Sequence, residues 1–198
     1  MSTLSKKHDF DLVFDSQQVF RLILEALSSP GTPQELGMYA DKLYGEHPAC
    51  LAVAITLLDN EVSFHISASS DLAEEIHALT LAEETCVASA DFVFVCAPDQ
   101  LGQTIETAKC GALSNPHKSA TLIIENEGVP LCRLLLSGPG IDGQREIWAT
   151  ERLRDAIALR DAQQYEYPQG IDLFFLSKAG EFVAIPRLTR MEVIPWHM

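Results

Sequence analysis

Near the C-terminus, Ala184-Ile185-Pro186-Arg187-Leu188-Thr189-Arg190 sets two guanidinium groups three positions apart, around a proline that breaks or edges a strand. Arginine forks suit carboxylates and phosphates, so Arg187 and Arg190 are candidates to hold an anionic ligand. The competing assignment is an internal ion pair with Asp172 or Glu192, which composition alone favours. Ser137-Gly138-Pro139-Gly140-Ile141 follows directly on the apolar run Leu131 to Leu136, and successive backbone N–H groups in such a turn can converge on an anion. Pro139 removes one donor, and both the Gly-Lys-Ser/Thr of a phosphate loop and G-x-G-x-x-G are missing, so a plain tight turn is an equal reading. The candidate anion-binding set is therefore Arg187, Arg190, Ser137, Gly138 and Gly140, joined by Arg21 on the first helix with the same ambiguity.

Catalytic and metal chemistry have weaker support. Ser137 lacks the G-x-S-x-G elbow, and no histidine can be assigned to it by spacing, so no catalytic residue is named. Neither C-x-x-C nor H-E-x-x-H occurs among the six His and five Cys. The best local group, Glu74, Glu75 and His77, reads as the solvated face of a helix, and His65 as a polar position on a strand. No metal and no cofactor are assigned.

The elements that must position these residues follow from composition and periodicity. The chain has 198 residues, 14 Lys and Arg against 28 Asp and Glu, and a formal net charge of −14. That acidity argues against nucleic-acid binding. The most continuous apolar run, Ala49 to Leu58, is far short of the roughly 20 residues that span a bilayer. Five scattered cysteines inside apolar stretches, and an N-terminus without a secretory pattern, suit a cytoplasmic protein with reduced thiols. No repeat or linker marks a boundary, so residues 1–198 read as one domain.

Asp15 followed by Gln18 resembles a capping box stapled by Phe14, and Val19, Phe20, Ile23, Leu24 and Leu27 recur at helical spacing up to the stop Ser28-Ser29-Pro30-Gly31. His47 to Leu58 reads as a buried helix, and Asp71 with Glu74 opens another. Pro98 to Ala108 also reads as a helix. Thr150 to Gln164 is amphipathic, with Leu153, Ala156 and Ile157 inward and Arg152, Arg154, Asp155, Arg160 and Asp161 outward. Strands are predicted at Val62–Ile66, Phe92–Cys96, Thr121–Glu125, Leu131–Leu136, Ile171–Leu176, Phe182–Ile185 and Thr189–Ile194. Tyr165 to Gly170 reads as a loop with aromatic anchoring. The pattern predicts a layered α/β/α sandwich with a mixed sheet.

Several of these segments carry a resemblance. Phe20-Arg21 through Ala26, Ser28 and Pro30-Gly31, then Thr56-Leu57-Leu58-Asp59, Ala120-Thr121, Ser137 to Ile141, Pro168 with Gly170-Ile171-Asp172, and Ile185-Pro186-Arg187 with Thr189 occur in an order that resembles the PhnH subunit family of bacterial carbon–phosphorus lyase systems. The match runs from about Phe10 to about Val193. Gln169 departs from the usual apolar residue of its turn, and Leu188 from a threonine often found after the Pro-Arg pair.

The resemblance implies a fold like that of pyridoxal-phosphate-dependent transferases but without that cofactor, since the Schiff-base lysine site is not retained. It implies a cytoplasmic homodimer working with the G, I, J and L proteins of the pathway. The joint reaction displaces adenine from ATP with methylphosphonate, giving α-D-ribose 1-methylphosphonate 5-triphosphate, with the I subunit carrying the nucleosidase chemistry and this one supporting it. ATP or a phosphonate would then be met within the complex. The alternative is an independent phosphonate- or nucleotide-phosphate-binding enzyme using Arg187 and Arg190.

Overall fold

Apolar runs flanked by turn residues become strands, and runs with helical periodicity become the layers that cover them. The computed structural model describes residues 8–67 and 70–195. In chain order its elements are α1 (Phe14–Ser28), β1 (Gln34–Glu35), α2 (Gly37–Ala40), α3 (Pro48–Leu57), β2 (Ser63–Ser67), α4 (Ser70–Thr80), β3 (Glu83–Glu84), β4 (Phe92–Val95) and α5 (Leu101–Thr107). The hairpin β5 (Cys110–Ala112) and β6 (Asn115–Ser119) follows, then β7 (Thr121–Glu125), β8 (Cys132–Ser137), β9 (Arg145–Ala149), α6 (Glu151–Ala162), β10 (Asp172–Leu176), β11 (Glu181–Ile185) and β12 (Arg190–Val193).

Seven strands form a mixed sheet in the order β1-β11-β10-β7-β4-β2-β3. Strands β10, β7, β4, β2 and β3 run parallel, while β11 and β1 add antiparallel pairs at one side. The central strands read as unbroken apolar runs because both of their faces are covered. In β7, Ile123 points to a core built from α1, α2, α3 and α4, whereas Leu122 and Ile124 point to a second core with α5, α6 and β8. In β10, Phe174 and Leu176 face the first core, and Leu173 and Phe175 the second. The mixed α/β architecture matches the prediction. A smaller antiparallel sheet, β12-β8-β9, closes the second side.

Helix α3 has no polar face, since Ala49 through Ala54 are all buried. Three local expectations are corrected. Asp15 does not cap α1: Asp11 does, its Oδ1 accepting from the backbone N–H of Val13 and of Phe14, both at 2.8 Å. Asp15 instead turns inward, accepting from Lys42 Nζ at 2.7 Å and from the Asp11 N–H at 2.8 Å. Phe14 makes no staple and is 71% exposed.

The third correction is Arg160, placed outward by the sequence reading but only 1% exposed. Its position follows Ala156 and Ile157 by one helical turn, so the 3.6-residue period carries it onto the apolar stripe. It is tolerated there because Nη1 donates to the Ile185 and Pro186 carbonyls (3.3 and 3.0 Å) and Nη2 to that of Thr189 (2.6 Å). Strand β9, the β5–β6 hairpin, helix α2 and the two-residue edges β1 and β3 were not predicted. They are short or partly exposed, so their sequences carry little periodic signal.

Candidate functional site

The segments that carry the resemblance are far apart in the chain, yet several meet in one cleft of about 460 Å³ lined by Ser28, Pro139, Gly140, Pro168, Asp172 and Arg187 among others. Arg145 of β9 draws the stop after α1 into this region, with Nη1 donating to Ser29 O (3.0 Å), Pro30 O (2.7 Å) and Thr32 Oγ1 (2.6 Å). The Ser137–Ile141 turn packs on top. Gly138 has φ +135° and a Cβ there would lie 2.8 Å from Leu188 O; Gly140 has φ +81° and its Cβ would lie 2.5 Å from Ser28 O. Both positions therefore need glycine for close backbone approach. The turn closes with Ile141 N–H donating to Gly138 O at 3.1 Å.

Arg187 is fully engaged inside the molecule. Its backbone N–H and Nε donate to Asp172 Oδ1 at 2.8 and 3.2 Å, Nη2 pairs with Asp172 Oδ2, and Nη1 donates to Pro116 O at 2.6 Å. This is the internal pair that competed with the anion-binding assignment. Arg190 lies opposite Ser137 across the β12–β8 ladder and is exposed, with no ion pair among the described residues. It lines a second cleft of about 510 Å³ with Ser137, Arg160 and Arg187. Arg21 lies on the exposed side of α1 and lines neither cleft. Gln169, the departure from the family pattern, reaches across to donate from Nε2 to Gly111 O at 2.9 Å, tying its loop to the β5–β6 hairpin.

A different constellation occupies the carboxyl ends of the parallel strands, where open α/β sheets place their ligands. Pro48 starts α3 and leaves His47 at its N-cap position, with Cys50 in the first turn. Cys96 follows β4 directly, and Glu125 is the last residue of β7. One ligand atom each from His47, Cys96 and Glu125 lies within 4.8 Å of the other two. His47 Nδ1 forms a short hydrogen bond to Glu125 Oε1, and the Cys50 thiol donates to the same oxygen at 3.7 Å. The hydrogen bond with Cys96, burial, and the charges of Cys96 and Glu125 push the Cys50 thiol well above the ordinary thiol range.

From the other side of the sheet, α6 aims its N-terminal end at the same place. Thr150 caps it by accepting from Leu153 N–H at 3.1 Å, and Arg152 in the first turn donates through Nη2 to Val95 O at 3.0 Å. Desolvation lowers the Arg152 pKa, opposed by the charges of Glu125 and Cys96. Its Nε is buried without a hydrogen bond among the described residues. A cleft of about 500 Å³, lined by Cys96, Glu125, Glu127, Glu151, Arg152 and Lys178 among others, opens from this cluster to solvent. The sequence reading found none of it, because His47 and Glu125 are 78 positions apart and no local motif joins them. The available signal was positional: a His before a Pro-started helix, and a Cys and a Glu where apolar strands end.

Comparison with known proteins adds an independent line. A family model described as "Bacterial phosphonate metabolism protein (PhnH)" matches residues 8–192. A protein of Rhizobium meliloti (strain 1021), the alpha-D-ribose 1-methylphosphonate 5-triphosphate synthase subunit PhnH, is 28% identical over 193 residues, covering 92% of each chain.

Proposed function

Because the chain belongs to the PhnH family of bacterial phosphonate metabolism proteins, we propose that it is a subunit of an α-D-ribose 1-methylphosphonate 5-triphosphate synthase, serving phosphonate catabolism by supporting catalysis within the complex. The observation that carries this reading is the family match across residues 8–192, reinforced by a relative of that name aligned over 92% of both chains. The fold is taken to resemble the pyridoxal-phosphate-dependent transferases as a single domain, and the working state to be a cytoplasmic homodimer assembled with the G, I, J and L proteins. No described helix is long and apolar enough to cross a membrane. An exposed apolar group along α1 and its lead-in, Val13, Phe14, Phe20 and Leu24, supports an assembly role, since such groupings on soluble proteins usually meet partners.

Among the described residues, no lysine is set up to form a Schiff base with pyridoxal phosphate. A Schiff-base lysine is activated by desolvation or by another cation beside it. Here Lys42 is paired with Asp15 and Lys109 with Asp91, and Lys118 and Lys178 are exposed. The net charge of −14 repels ATP at long range, which suits a nucleotide site completed by other subunits.

Deletion of this chain from its host should abolish growth on methylphosphonate as sole phosphorus source, and a tagged copy that restores growth should copurify with the other subunits. Unimpaired growth of the deletion strain ends the reading. The alternative, direct binding of a phosphonate or nucleotide phosphate by Arg190 and Arg187 beside the Ser137–Gly140 turn, draws on Arg190, exposed at its cleft and without an ion pair among the described residues. The Arg187–Asp172 pair counts against it. Calorimetric titration of the isolated chain with ATP and methylphosphonate discriminates: saturable heat lost in Arg190→Ala supports direct binding, and no heat removes it.

A further inference from the structure

We propose that His47, Cys96 and Glu125 form a binding site for a divalent transition-metal ion of the zinc class, with three protein ligands and a fourth position open to the cleft above them. Imidazole, thiolate and carboxylate are the donors that zinc takes, and three protein ligands with one solvent position is the arrangement of its reactive sites. The three donor atoms already lie within 4.8 Å of one another. Metal–ligand bonds of about 2.0–2.3 Å in a tetrahedron place donors roughly 3.3–3.8 Å apart, so closure needs movement on the order of 1 Å.

The surroundings suit such an ion. Each ligand sits on a rigid boundary: His47 at the start of α3, Cys96 at the end of β4, Glu125 at the end of β7. Ligands held by element ends keep their geometry better than ligands on free loops. The Cys50 thiol donates to Glu125 Oε1 at 3.7 Å, which orients the carboxylate as outer partners of metal ligands do. A thiolate and a carboxylate neutralise a divalent ion, and Arg152 lines the cleft beside them. Glu127 and Glu151 on the cleft wall keep the entrance attractive to cations.

The untagged full-length chain, reduced with a phosphine and stripped with a chelator, is titrated with cobalt(II) and separately with zinc(II). The expected result is one ion per chain, with thiolate-to-cobalt charge-transfer absorption that zinc abolishes by displacement. Cys96→Ser should remove that absorption. His47→Ala should weaken zinc binding by about tenfold or more. Cys86→Ser, at an exposed thiol, should change neither. Absence of thiolate–cobalt absorption in the unmodified chain overturns the site, and this outcome does not depend on any variant folding. Absorption that persists in a folded Cys96→Ser protein, checked by circular dichroism, overturns it as well.

Discussion

Arg160 and Arg187 are both arginines turned inward, each engaged with acceptors of this chain. Arg160 donates to three backbone carbonyls, of Ile185, Pro186 and Thr189, gathered around the bend at Pro186. Replacing it by Met fills the volume but removes all three bonds and leaves Pro186 O only the Thr189 N–H at 2.9 Å, so Arg160→Met should destabilise the chain by about 3 kcal/mol in urea denaturation, with Arg160→Lys no better than a partial rescue. Arg187 and Asp172 form a largely buried pair, with side chains 19% and 16% exposed. A double-mutant cycle with Arg187→Ala and Asp172→Ala should return a coupling of about 1–3 kcal/mol. Additivity instead would mean the pair contributes nothing to the fold.

At the scale of elements, helix ends and tight turns decide where chains meet. Thr150 both caps α6 and reaches Asn126 after β7, so it links the second core to the mouth of the parallel sheet. Thr150→Ala should lower stability by about 1 kcal/mol, while Thr150→Ser keeps the capping oxygen and most of the stability. The Ser137–Ile141 turn is held by contact. An alanine at Gly140 would have to adopt φ +81° and place its Cβ 2.5 Å from the Ser28 carbonyl oxygen. Gly140→Ala should therefore lower the unfolding midpoint clearly, by the equivalent of about 2 kcal/mol, whereas Gly143→Ala meets no atom within 4 Å and carries only the cost of its positive φ.

For the whole molecule, acid stability follows from carboxylates held by lysines. Burial alone would raise the pKa of Asp15 and of Asp91, but hydrogen bonds and charge from Lys42 and Lys109 respectively outweigh it, and both end below the ordinary value of 3.8. A depressed folded-state pKa adds stability that is fully present above the unfolded value and is lost as pH falls through the folded one. The loss is therefore confined to pH below about 4. Lys109→Met should lower the stability of the chain most near pH 7, where Asp91 is ionised, and cost little below about pH 3, where Asp91 is protonated, so that the difference from the unmodified chain in urea denaturation shrinks as the pH falls.

The parallel strands β2, β4, β7 and β10 and the helices α1, α3, α4, α5 and α6 were legible in the linear chain, because burial on one face or two imposes a period on neighbouring residues. The family signature was legible too, as short motifs in a fixed order, and the family match over residues 8–192 agrees with it. Local spacing could not show that Arg160 turns inward to serve carbonyls twenty-five to twenty-nine positions away. The sequence named Asp172 or Glu192 as internal partners for the arginine pair, and only the tertiary structure decided that Asp172 takes Arg187 and that β9 and a small second sheet carry Arg145 to the end of α1. The cluster of His47, Cys96 and Glu125 is the extreme case. Each is a single polar residue at the end of an apolar element, indistinguishable in sequence from an ordinary boundary. They become a site only because parallel strands and a helix on their flank must all end at the same edge of one sheet, an alignment that tertiary packing imposes and that no run of neighbouring residues encodes.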